Sequence, residues 1–274
     1  MPALPSWHNP EGYMKYIKSH EWLQSLLWTA LFLLVWQLTT TFHLANRYLL
    51  PPFSDVCKEL YQQFCSGKLT TQILNSLKMI FVGFSISVLL ALVLVVLCTY
   101  SKIINSMVRT ICVIFTPLPG VAILPIIIMI FGIKETSMVV LMVHSVLWPL
   151  VINVLGGIRS IPKQHIEFGK NLELNSLKTV SCIHTFSVMP AIISGLRIGW
   201  GRAWRALISA EMVFGMIGKL GGIGYFIYTN RAYGNMTRVM AGVLVVIVFG
   251  VFFDVVLFDT IEKLTIRKWG MQNE

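Results

Sequence analysis

Four ionisable side chains, Arg197, Arg202, Arg205 and Glu211, stand within one long, otherwise apolar segment of this 274-residue chain, and His144 stands alone in another. A charge inside an apolar segment is costly in a bilayer and faces protein or water, so such residues mark routes for polar solutes. They do not form a catalytic set. A lone histidine lacks the companions that a catalytic constellation needs, and His144 reads as a packed or pathway residue. No Cys/His cluster has metal-ligand spacing, and no GxxxxGK[ST] or other phosphate-cradling loop stands out. Cys57 and Cys65 lie eight residues apart in a stretch with helical spacing, about 12 Å of rise, which is beyond disulfide reach. Cys98, Cys112 and Cys182 read as small apolar fillers.

The elements that must position these residues are membrane helices. The chain is 55% hydrophobic and 12% charged, with mean hydropathy +0.72. Soluble domains carry roughly a quarter charged residues, so the expected solvent is lipid. Runs free of Asp, Glu, Lys and Arg cover 22–46, 79–101, 110–133, 136–158, 179–196 and 239–253. A span needs about 20 apolar residues. Four runs meet that length, the fifth can lengthen through the stretch after Arg197, and the sixth can pass Asp254, leaving that residue near a membrane face. The expectation is an all-α integral membrane protein with six spans. The first, about Trp22 to Thr41, is longer than a signal-peptide core and lacks a small-residue cleavage site, so it reads as retained. Pro51 and Pro52 then separate residues 1–50, an N-terminal tail and first span, from a core over 51–274; an ordinary extracellular loop is the other reading.

With the N-terminus inside, eleven Lys and Arg fall in inner segments and eight in outer ones, the sign expected of cytoplasmic termini. The net charge of +10 fits this rule and anionic head groups. No basic face interleaved with aromatics points to nucleic acid.

Two spans are irregular. The third holds Pro117, Pro119, Gly120 and Pro125 in FTPLPGVAILPIIIMIFG. Interior prolines free carbonyls that lipid cannot satisfy, so this span must pack in protein or line a cavity. The fifth places Gly195, Gly199, Ala203, Ala206 and Ala210 on one helical stripe, which lets a neighbour approach closely. Arg197, Trp200, Trp204 and Glu211 fall on the opposite face, with Arg202 and Arg205 in a third sector. Little of that helix is left for lipid, and it belongs at the centre. Arg202, Arg205, Glu211 and His144 are the candidate pathway residues; pairing with neighbours or head groups is the alternative. The glycines from Gly215 to Gly224 read as an outer loop or a re-entrant bend.

Between the fourth and fifth spans runs a long charged loop, about 159–189, containing SIPKQHIEFGKNLELNSLK. It is similar to the inner loop of the permease subunits of binding-protein-dependent ABC importers for nitrate, sulfonates and taurine (MetI-like). That family's pattern resembles N-T-x-x-G-x-R, then E-A-A-x-x-x-G, P-A-x-x-P and G-L-R. Asn153, Gly157, Arg159 and Glu167 take its positions, with Phe168 and Gly169 in place of the two alanines. Pro190, Gly195, Leu196 and Arg197 match the later residues, and Ala210, Glu211 and Met212 a typical A-E-M. The resemblance covers about residues 45 to 270. The chain departs from it at Val154, at Glu173 in place of the turn glycine, and at Phe186 in place of the first proline. Asn175 tolerates the left-handed backbone that the glycine would supply.

The resemblance implies five core helices plus an N-terminal one, in a transport subunit that is not an enzyme and holds no cofactor. ATP would be bound by partner ATPase subunits, which the loop would meet through a coupling helix carrying Glu167, Phe168, Gly169, Lys170 and Glu173. It also implies an extracytoplasmic substrate-binding protein, a second permease copy, a bacterial cytoplasmic membrane, and a small anion as solute. An ion-gradient transporter would show internal repeats and mid-membrane carboxylates, yet no repeat is visible and the apolar runs of spans one to four hold no Asp or Glu. A lipid-modifying membrane enzyme would need more than His144.

Overall fold

The computed structural model describes residues 10–162, 164, 167, 185–215 and 221–268. Among them every regular element is a helix: α1 (Pro10–Thr41), α2 (Phe53–Cys65), α3 (Lys68–Tyr100), α4 (Lys102–Phe115), α5 (Gly120–Phe131), α6 (Glu135–Arg159), α7 (Thr185–Phe214), α8 (Ile223–Ala232) and α9 (Met236–Val251). Beyond α9 the same helix runs on to Ile266. Four helices are long and apolar enough to cross a membrane: Leu23–Thr41, Lys68–Tyr100, Glu135–Arg159 and Met236–Ile266. The pair α4 and α5, bent by 105°, makes a fifth if counted as one broken span. Helix α7, with 30 residues, has the length, but its charged residues dilute its hydropathy.

Proline and glycine account for the break. Pro117 and Pro119 have no N–H to continue the ladder and disfavour helical backbone in the residue before each. The helix therefore stops at Phe115 and restarts at Gly120, rather than bending as one kinked span over 110–133. Gly132, at φ 75°, ends α5 in a conformation that a Cβ would oppose.

Helices α6 and α7 form the central pair. Helix α3 packs on both, α5 and α4 lie against α6, and α8 lies against α7 and α9. Lipid gives helices no hydrophobic reason to associate, so close van der Waals contact must hold them. Small residues provide it. A Cβ on Gly195 would sit 2.8 Å from Leu150 Cδ1, one on Gly199 3.0 Å from Val146 Cγ1, and Ala203 is fully buried. Gly199→Leu is expected to wedge α7 off α6 at a cost of about 1–3 kcal/mol. Size-exclusion profiles in detergent, set against Gly199→Ala, check it; a Leu variant as monodisperse as wild type overturns it.

Trp200 and Trp204 point away from α6, toward the last helix, where Trp200 meets Phe253 at 4.5 Å and the Trp204 indole N–H donates to Val246 O at 3.2 Å. The first helix is tied at its end to α2. Trp36 packs on Phe53 and donates to Pro51 O at 3.0 Å, and Gln37 Oε1 accepts from Ser54 N. Most of the apolar face of α1 stays exposed. Helix α2 is held to α9 by Arg238 Nε donating to Glu59 Oε1 at 2.7 Å. Burial alone would raise the Glu59 carboxyl, but hydrogen bonds from Arg238 and Gln63 and the Arg238 charge carry it below its ordinary value.

Candidate functional site

The break between α4 and α5 opens onto α7. A cleft of about 410 Å³ lies there, lined by Thr116, Pro117, Pro119, Gly120, Ser145, Arg202, Arg205 and Ser209 among others. The interrupted ladder leaves Thr116 O without a helical partner, and Arg202 Nη1 donates to it over 3.4 Å. The hydroxyl of Thr116 is buried without a partner. Arg205 is exposed, and among the described residues no carboxylate pairs with Arg202 or Arg205. Two uncompensated guanidinium groups beside hydroxyls form a site chemically suited to an anion.

The four pathway candidates do not converge. Arg202 and Arg205 share the cleft; His144 and Glu211 do not line it. The His144 ring meets the edge of Phe115 at 5.7 Å, Phe115 stacks on Trp148, and both imidazole nitrogens lack partners. Glu211 is 4% exposed and fully engaged. Its Oε1 accepts from Ser76 Oγ at 2.7 Å and its Oε2 from the Gly224 N–H at 2.7 Å, while Ser76 Oγ accepts from the Ile223 N–H at 2.9 Å. Asn75 Nδ2 adds a bond to Gly221 O at 3.2 Å. The carboxylate thus takes the Gly224 amide directly and reaches the Ile223 amide through the Ser76 hydroxyl, at the start of α8, where the helix dipole favours negative charge.

The glycines here are a clasp. A Cβ on Gly222 would collide with the Glu211 carboxylate and the Ser76 hydroxyl, and one on Gly224 would press on Ile208 O and Glu211 Cβ. Gly215, at φ 66°, turns the chain out of α7. Glu211 also borders a second cavity, about 450 Å³, with Asn75, Lys78, Glu135 and Thr136. Sequence reading missed Ser76, Thr116, Ser145 and Ser209. Isolated hydroxyls in apolar runs give no signal until a partner helix is placed beside them.

Of the coupling residues, Glu167 is exposed and helical, while Phe168, Gly169, Lys170 and Glu173 lie outside the described residues.

A bundle of long apolar helices around a charged central one, with a broken helix beside it, is the architecture of a multi-pass membrane transport subunit. Residues 83–258 match the family described as binding-protein-dependent transport system inner membrane component, and the chain belongs to that family. It is 26% identical over 252 residues to a putative aliphatic sulfonates transport permease of Bacillus subtilis, covering 92% of this chain and 89% of that one. A taurine transport system permease of Escherichia coli is 25% identical over 241 residues, 86% of each chain. A nitrate import permease of Synechocystis is 27% identical over 250 residues, 88% of each. The chain is therefore an ABC-transporter permease of the binding-protein-dependent type, as its inner loop resembles, in a family whose partners are an ATPase and a substrate-binding protein.

Proposed function

We propose that this chain forms one half of the path of an ATP-driven importer for a small anion such as a sulfonate or nitrate. The observation that carries the reading is the pair Arg202 and Arg205, free of any carboxylate partner among the described residues, beside the proline-broken helix. Counting α7 as a span gives six, with both termini cytoplasmic and residues 1–50 an accessory unit beside the core of 51–274. Two identical copies enclose the path. A binding protein delivers solute to the outer mouth, and the loop over 159–189 docks Glu167, Phe168, Gly169, Lys170 and Glu173 on an ATPase that holds the ATP. The permease itself needs no cofactor. The names of the similar permeases, which include sulfonate, taurine and nitrate carriers, support an anionic solute.

Reconstitution with the ATPase and binding protein tests this: uptake of a labelled sulfonate or nitrate must require ATP. Uptake that instead follows an ion gradient without ATP favours a secondary carrier. Glu167→Arg, which reverses a charge between Lys163 and Lys170, is expected to insert normally but retain about tenfold less ATPase on co-purification. Wild-type recovery of the ATPase removes Glu167 from the contact.

A further inference from the structure

The last helix is not regular, and its irregularity has a target. After α9 it widens into a π-helical turn, Phe252–Phe258, returns to α geometry over Asp259–Glu262, and widens again over Lys263–Arg267. π turns are rare and concentrate at functional sites. In unbroken α geometry, Asp254 and Asp259 would point about 140° apart around the axis. A π turn closes on i→i+5 bonds, so residues five apart stack on one side. Asp254, Asp259 and Glu262 consequently reach a single guanidinium, that of Arg197. Its Nε and Nη2 donate to the two oxygens of Asp254 at 2.7 and 3.2 Å. Its Nη1 lies 3.0 Å from Asp259 Oδ1 and 3.5 Å from Glu262 Oε2.

Three carboxylates around one arginine are more than a static tie requires. The bidentate pair with Asp254 already uses the guanidinium fork, and further acids add mutual repulsion. Among the described residues no second Lys or Arg pairs with these three. What a row of acids supplies is a succession of partners. Asp254 and Glu262 lie eight residues apart, about two turns of the helix, so Arg197 can pass from one carboxylate to the next without being left unpaired. Arg197 belongs to α7, the first helix after the inner loop, and one turn further on Trp200 packs against Phe253. The cluster therefore links α7 to the last helix on the loop side of their aromatic contact.

We propose that Arg197 is a positioning residue that carries movement of α7 into the C-terminal helix, exchanging among Asp254, Asp259 and Glu262 as the two helices shift. This rests on the reading that the inner loop receives the ATPase stroke. The test is the ratio of solute moved to ATP hydrolysed in vesicles holding permease, ATPase and binding protein. Arg197→Ala is expected to hydrolyse ATP within about twofold of wild type while moving about tenfold less solute per ATP. Arg197→Lys, a point charge that cannot hold a bidentate partner, falls between. Asp254→Asn stays near wild type because two acids remain, and Arg197→Asp with Asp254→Arg recovers part of the coupling lost in Arg197→Asp alone. An unchanged ratio in Arg197→Ala overturns the proposal. So does a parallel loss of hydrolysis and uptake in both Arg197→Ala and Arg197→Lys, the signature of lost assembly. An inert Ala variant leaves the Lys and Asn variants to decide, and an unchanged ratio in Arg197→Lys then counts against the exchange. Wild-type permease that shows no ATP-driven uptake sinks the importer reading and the exchange together; a transporting wild type with a fully coupled Arg197→Ala sinks the exchange alone.

Discussion

Glu211→Ala is expected to lower the stability of the folded permease by about 2–4 kcal/mol. The change strips the acceptor from the Gly224 N–H and from the Ser76 hydroxyl, both in a buried network. Each orphaned buried donor costs about 1–3 kcal/mol, offset in part because the variant no longer buries a carboxylate. Glu211→Gln keeps a carbonyl oxygen for one amide and is expected to lose less than half as much. Gly222→Ala acts on the same network from the other side, since its methyl group would occupy the position of the carboxylate oxygen. Thermal unfolding in detergent, followed by tryptophan fluorescence, reads all three. An Ala variant that melts with wild type would show that the clasp contributes nothing to stability.

Arg205→Ala separates a transport role from a structural one more sharply. The side chain is exposed and has no carboxylate partner among the described residues, so its removal is expected to leave assembly and ATPase binding unchanged. If it meets the anion in the path, uptake falls by about 10-fold or more, the size of one hydrogen bond to a charged group. Arg202→Ala should also lose uptake, and in addition frees the Thr116 carbonyl that it now covers. Arg205→Lys keeps the charge without the fork and is expected to retain part of the rate. Near-normal uptake by Arg205→Ala would assign that residue to lipid head groups instead.

The sequence alone carried the parts of this protein that depend on near neighbours. Apolar run length located the four long apolar helices, because crossing a bilayer is a requirement on consecutive residues. Pro117 and Pro119 marked the irregular span, though whether they bent it or broke it was decided only in three dimensions, where α4 and α5 part by 105°. The small-residue stripe and the charges of α7 were legible because helical periodicity is local. The inner-loop pattern named the family for the same reason.

Partnership between helices was not legible. Ser76 and Glu211 stand 135 residues apart, and no spacing within either segment says that they meet. Grouping Arg197, Trp200, Trp204 and Glu211 on one face was sound geometry for a single helix. The packed structure divides them: the tryptophans and Arg197 go to the C-terminal helix, and Glu211 to α3 and α8. Arg202 and Arg205 were candidates from their chemistry, but only the tertiary structure set them beside the open backbone of the α4–α5 break and kept His144 and Glu211 out of that cleft. The physical reason is that a sequence fixes which residues share a face, whereas the rotation of each helix about its axis is set by its neighbours. That rotation decides whether a charge meets a carboxylate, a freed carbonyl or lipid.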